Sequence, residues 1–213
     1  MADARHDRFD RRFELAATVL LAVAAVATAW AAYQSARWHG EQARAQSASI
    51  AARVESTRMA NVANRDAQID VALFTQWVDA YARDETELAD FYRKRFRAEF
   101  RPAFQAWVAT RPRTNPSAPL SPFAMPQYKL AATAQADRLE AQAAAFSHDV
   151  GDFIQRADNY SLTVVLFAAS LFFAGISTRL RSPTTRMVVL GLGYTLFLGS
   201  LIWIATFPVS LSV

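Results

Sequence analysis

Three histidines, one acidic cluster and one basic run are the residues of this chain whose types and spacing could support chemistry. A shared metal ion needs several ligands within one coordination sphere. His39 and His148 fall at different heights in any pairing of the helices that carry them, and His6 is separated from both by a long apolar run. No two histidines are therefore placed to act together. Asp84, Glu85, Glu87 and Asp90 are dense enough for a weak cation site, but a solvated helix face is the favoured reading. Arg93, Lys94, Arg95, Arg97 and Arg101 could touch anionic lipid or polymer. The absence of cysteine excludes disulfides, thiolate metal sites and cysteine nucleophiles. No glycine-rich phosphate loop or serine elbow is present. The expectation is a protein without enzymatic activity, cofactor or metal.

The elements that would position these residues are set by an uneven distribution of charge. In 213 residues there is room for one modest domain plus membrane segments. The net charge of +4 could suggest nucleic acid, but the arginines Arg5, Arg8, Arg11, Arg12, Arg179, Arg181 and Arg186 flank apolar runs. They mark membrane boundaries, and nucleic acid is not an expected partner. The sequence predicts an all-α integral membrane protein: a tail over 1–14, spans over 15–36, 159–178 and 187–207, a short loop over 179–186 and a tail over 208–213. Each run is about the length a helix needs to cross ~30 Å of hydrocarbon. A cleaved signal peptide ending near Ala27-Thr28-Ala29 competes for the first run, which is longer than the usual ~7–15-residue signal core.

Orientation follows from the short basic segments, because arginine resists translocation. The amino-terminal tail and the 179–186 loop belong in the cytoplasm of a bacterial inner-membrane protein, and three spans make these assignments consistent. Residues 37–158 and the carboxyl-terminal tail are then extracytoplasmic. The sixteen Lys/Arg and fifteen Asp/Glu of the large region do not oppose this, since long loops cross largely regardless of charge.

That region reads as a helical hairpin or stalk. Between Gly40 and Pro102 there is no Gly or Pro, and Asp84 followed by Glu87 has capping-box spacing, predicting helices over about 37–82 and 85–109. One unbroken helix is the alternative. Leu88, Tyr92, Phe96, Phe100, Phe104 and Trp107 recur at helical spacing as a core face, with a ligand groove the sharper reading. Five prolines between Arg111 and Pro126 mark an irregular connection. A last helix should start near Gln127 and carry Leu139, Ala143, Phe146, Val150, Phe153 and Tyr160 in a near-heptad stripe. If both stalk helices leave the membrane at one height and rise equally, residues whose numbers add to about 196 are level. This pairs Ile50 with Phe146 as stalk packing, Arg44 with Asp152 and Glu55 with Arg138, with Val150 and Phe153 extending the core.

The segment from Trp30 to Trp38 carries the interfacial residues Trp30, Tyr33, Gln34, Arg37 and Trp38, matched by Tyr160 on the returning helix. A functional seam joining Gln34 and Arg37 to Asp158 or Asn159 is the alternative. The Trp-Ala-Ala-Tyr-Gln exit resembles that of certain uncharacterised bacterial three-span membrane proteins, a likeness covering mainly this helix and implying no activity. Thr18, Ala25, Thr28, Ala32 and Ser35, continued by His39, share one face that suits close helix contact or a pore lining. Gly191, Thr195 and Gly199 form a second small-residue face. The functional expectation is a scaffold, sensor or accessory subunit whose stalk binds a second copy or a membrane-protein partner, with the bilayer as its other partner. The alternative is a small oligomeric channel lined by the first span.

Overall fold

The computed structural model describes residues 3–210, with side chains from residue 11 onward. The side chains of Arg5, His6 and Arg8, and Val213 altogether, lie outside that description. No strand occurs among the described residues. The order is α1 (Asp3–Ala82), α2 (Thr86–Arg95), α3 (Arg101–Ala109), a single 3-10 turn (Pro122–Ala124), α4 (Ala131–Ser177) and α5 (Pro183–Ile204). Three of these, α1, α4 and α5, are long and apolar enough to cross a membrane.

The predicted break after residue 82 is present, but its mechanism differs. Asp84 is not an N-cap; it adopts the left-handed conformation at φ 58°. The Glu85 amide donates to the Ala80 carbonyl at 3.0 Å and the Asp84 amide to that of Tyr81 at 3.3 Å. These two bonds make a Schellman ending for α1. The predicted 85–109 helix is also two helices. Pro102 has no amide hydrogen and its ring would collide with the preceding turn of a continuous helix, so it sits in the first turn of α3 instead. Similar chemistry shifts two more boundaries. Glu99 accepts the Ala131 amide at 3.2 Å, which starts α4 four residues after Gln127, and Pro183 occupies the first turn of α5.

The chain divides into a terminal unit, residues 1–47 and 147–213, and a central unit, residues 48–146. Both units contain residues of α1 and α4. In the central unit α1 and α4 run antiparallel along a seam of small residues, with Ser49, Ser56, Ala63, Ala136 and Ala143 buried. Ser49 donates to the Ala143 carbonyl at 3.0 Å and Ser56 to that of Ala136 at 2.9 Å. In the terminal unit Ser35 donates to the Ala157 carbonyl at 3.2 Å and meets the Ser161 hydroxyl at 2.9 Å.

This register corrects the expected one. With Ser49 against Ala143, Ile50 is level with Gln142, one turn away from Phe146, and the two expected packing residues are 52% and 37% exposed. Small residues bring two helices close enough for serine to reach a backbone carbonyl, which leaves no room for larger side chains between them. The expected cross-pairs are replaced by neighbours on the same helix: Arg44 with Glu41 at 2.8 Å, Arg58 with Glu55 at 3.6 Å and His148 with Asp152 at 3.8 Å.

Candidate functional site

The core of the central unit is aromatic. Trp77 and Ala80 of α1 pack with Ala89, Phe96, Phe100, Phe104 and Trp107, and Phe123 and Tyr128 close over them. Trp77 meets Phe104 edge-on at 4.8 Å, and Phe96 meets Phe100 in the same way at 5.0 Å. This is the packed-face reading of the aromatic spacing, although Leu88, at its start, is exposed.

Beside this core lies an ion-pair cluster. Arg97, in the bend between α2 and α3, donates to Asp70 at 3.0 Å, Asp66 at 2.8 Å and Glu99 at 2.7 Å. Tyr128 adds a hydroxyl donor to Asp70 at 3.3 Å. Because Glu99 also holds the first amide of α4, one guanidinium ties α1, the α2–α3 bend and the start of α4 together. Asp70 is fully buried, and its Oδ1 has no hydrogen-bond partner. Burial raises its pKa above the ordinary carboxylate value, outweighing the opposing pull of Arg97 and of the Tyr128 hydrogen bond. The Tyr128 hydroxyl is pushed up to about 12, first by burial and then by the neighbouring Asp70 charge.

Nothing in the local sequence pairs Asp70 with Arg97, but the position of Asp70 is itself a signal. Asp70 occupies the heptad position held by Ser49, Ser56, Ala63 and Trp77, so a carboxylate interrupts an otherwise uncharged seam. A charge placed there requires a buried partner. The basic run that could have met lipid is largely engaged within the protein. Arg93 pairs with Asp90 at 2.9 Å, Arg95 lies 3.3 Å over the Phe91 ring, and Arg101 donates to the Phe96 carbonyl at 2.9 Å. Among the described residues no group of three His, Asp or Glu side chains is placed to hold a metal ion. His39 instead meets Gln42 at 3.1 Å.

In the terminal unit the interfacial residues separate into two sets. Trp30 and Tyr33 are exposed with their rings 6.0 Å apart, a placement suited to a bilayer surface. Gln34, Trp38 and Tyr160 are buried, and Arg37 is partly buried. Gln34 does not meet Asp158 or Asn159. Its Oε1 accepts the Ser210 amide at 3.1 Å and its Nε2 donates to the Ser210 carbonyl at 3.4 Å. Tyr160 donates to the Pro208 carbonyl at 3.1 Å, so the segment after α5 is clasped by two side chains. Trp38 packs 5.6 Å from Phe153, and the Arg156 guanidinium lies 4.8 Å over its ring. Val150 is partly buried on the same helix as Phe153.

The small-residue face of the first span divides. Ser35 faces the α4 seam, whereas Thr18, Ala25 and Ala32 are exposed one position beyond the buried Ala17, Ala24 and Ala31. Thr28 bonds the Ala24 carbonyl of its own helix at 2.7 Å. On α5 the close approach occurs at Gly193 rather than at Gly191 or Gly199, which have open space beside them. A Cβ on Gly193 would stand 3.3 Å from the Ser170 carbonyl oxygen, and Ser170 donates to the Gly193 carbonyl at 2.7 Å. Tyr194 ties α5 to α1 through the Ala16 carbonyl at 2.8 Å.

No protein-family model matches the chain, and no curated protein or solved structure is significantly similar to it.

Proposed function

We propose that this chain is a non-enzymatic, multi-pass protein of the bacterial inner membrane that self-assembles through α1, holding an extracytoplasmic helical stalk as a scaffold, sensor or accessory subunit. The observation that carries this is a second heptad stripe on α1. One stripe is occupied by α4 along the serine–alanine seam. The other, formed by Ile50, Val54, Thr57, Asn61, Asn64, Gln68, Val71 and Thr75, is exposed along its whole length and contains no charged residue. Charges of this part of α1 fall at other heptad positions, among them Arg53, Glu55, Arg58 and Arg65. A merely solvated face has no reason to exclude charge at every a and d position, whereas a helix partner does. Asn61, Asn64 and Gln68 are the kind of polar interruption that fixes register and copy number at some cost in stability. Small neighbours leave a shallow depression bounded by Asn64, Ala67, Gln68, Val71 and Ala72, where a second helix can approach.

Copies inserted with the same orientation run parallel, so like residues face like. A single cysteine at Val71 should therefore cross-link two copies under mild oxidation in native membranes, while one at Gln76, on another face, should not. A monomer in nanodiscs with equal reactivity at both positions would overturn self-assembly. The channel reading has less support. It needs Thr18, Ala25, Thr28 and Ala32 around an aqueous axis, but the Thr28 hydroxyl is already bonded within its helix. Such a face offers a dehydrated ion little compensation.

A further inference from the structure

The central unit contains an open cavity of about 1000 Å³ between the end of α1, the end of α3 and the proline-rich segment after it. That volume is in the range of small-ligand sites. One part of its wall is apolar: Val78, Tyr81, Val108 and Leu120 are all exposed large side chains, and Leu120 is 99% exposed. Trp77 and Trp107 form the floor. The only ionised groups in the lining are Arg111 and Arg113. Neither belongs to an ion pair among the described residues, whereas Arg58, Arg83, Arg93 and Arg97 of the same unit each do. The Arg113 guanidinium lies 5.3 Å over the Tyr81 ring, where it holds a cation at the edge of the apolar wall.

The segment carrying these arginines is built rather than loose. Trp107 Nε1 donates to the Pro119 carbonyl at 2.7 Å, fastening the far end of the segment to the floor. The Arg111 carbonyl accepts the amides of Thr114 at 3.0 Å and Asn115 at 2.9 Å, and Asn115 donates through its side chain to the Thr110 carbonyl at 3.1 Å. Arg111 itself is held at φ 53°, a conformation uncommon for a non-glycine residue.

From this juxtaposition of an apolar trough with two guanidinium groups that belong to no ion pair, we propose that the cavity binds a single-chain amphiphile with an anionic head, the acyl chain along Val78, Val108 and Leu120 and the head between Arg111 and Arg113. Charge complementarity selects the occupant. An uncharged apolar ligand would leave both cations unused, and a purely ionic one would leave the exposed apolar wall in water.

The test uses the full chain in zwitterionic nanodiscs, a diazirine-bearing fatty acid as probe and peptide mapping by mass spectrometry. Labelling of the spans is an internal control, because the probe also partitions into the bilayer. The expected result is label on peptides covering residues 77–82 and 107–120, reduced at least about fivefold in an Arg111→Gln, Arg113→Gln variant whose span labelling and circular dichroism are unchanged. The methyl ester of the probe should label the spans alone. Equal labelling of the cavity by acid and ester, or label confined to the spans, would overturn the proposal. So would displacement of the cavity label by soluble polyglutamate but not by laurate, an outcome that assigns the surface to an acidic protein segment.

Discussion

Ser56 donates its hydroxyl to the backbone carbonyl of Ala136 at 2.9 Å, so a side chain of α1 bonds the main chain of α4 across their seam. Seven residues earlier Ser49 makes the same bond to Ala143, seven residues later on the antiparallel helix. A serine ladder of this kind needs backbones close enough for a two-atom side chain to bridge them, and the alanines opposite provide that approach.

The ladder fixes the register, and cysteine pairs test it. Ser49→Cys with Ala143→Cys should form an intramolecular disulfide on oxidation, and Ile50→Cys with Phe146→Cys should not. Ser56→Ala should cost about 1 kcal/mol, the net worth of one hydrogen bond. Ala143→Leu should cost more, about 1–3 kcal/mol, because the added volume forces the helices apart. Thermal unfolding of the two variants would distinguish them, and a smaller loss from Ala143→Leu than from Ser56→Ala would contradict close packing.

Removing the central cation of the cluster should be worse than any seam change. Arg97→Ala leaves Asp70 buried without its cation, and such losses cost about 3–5 kcal/mol. Arg97→Lys should recover only part of that, since an ammonium cannot reproduce the forked donation to Asp66, Asp70 and Glu99. The measurement is chemical unfolding followed by tryptophan fluorescence in a background with Trp30, Trp38 and Trp203 replaced by phenylalanine, so that the signal comes from Trp77 and Trp107 in the adjoining core. Full recovery by lysine would show that point charge alone suffices.

Asp70 also sets a pH dependence with a definite sign. Its folded-state pKa is raised above the ordinary 3.8, so folding favours the protonated carboxyl. The stabilising contribution is complete below the unfolded value and is lost as pH rises through the raised folded value. Acidification from neutral pH should therefore increase the contribution of Asp70, opposite to the behaviour of a carboxylate held ionised by a salt bridge. Asp70→Asn removes this proton, so the difference in apparent Tm between wild type and variant should change as pH falls from 7 to 4. A difference that stays constant over that range would mean that Asp70 does not titrate there.

How much of this was legible in the sequence differs by element. The three apolar runs and the break after Ala82 follow from composition and local chemistry, and Pro102 marks the break between α2 and α3. The α1–α4 register was not legible from the expectation that large side chains pair, because alanine and serine look like filler until the backbones are seen to touch. The Arg97 cluster joins residues from three elements, and only Asp70, a charge in a small-residue heptad position, announced it. The Gln34 clasp was hidden for another reason: its partner is the backbone of Ser210, which carries no side-chain signature.

That clasp gives a local prediction. Gln34→Leu removes both partners of the Ser210 backbone and should loosen the segment after α5 without unfolding the spans. A cysteine at Ser210, whose own side chain takes no part in the clasp, should react with a soluble maleimide several times faster in the Gln34→Leu background. Gln34→Glu keeps the acceptor for the Ser210 amide but loses the donor, so an intermediate rate is expected. Equal rates in all three backgrounds would mean that Tyr160 and Pro208 hold the segment alone.

Topology is the assumption on which the proposed assembly rests, and it can be tested separately. Arginine flanks the first span on its amino-terminal side and fills the connection between α4 and α5, at Arg179, Arg181 and Arg186. Both segments are short, which is the condition under which positive charge determines orientation. With both in the cytoplasm, three crossings place the central unit and the carboxyl terminus on the opposite side. Alkaline phosphatase fused at Thr114 and at Val213 should be active at both sites, and a cytoplasmic fluorescent reporter should be dark at both. Replacing Arg179, Arg181 and Arg186 with glutamine should weaken the preference while leaving the helices intact, because charge sets direction and apolar length sets insertion. An inactive phosphatase at Thr114 would invert the orientation and remove the basis for an extracytoplasmic stalk, whereas activity at Thr114 alone would mean that α5 does not cross.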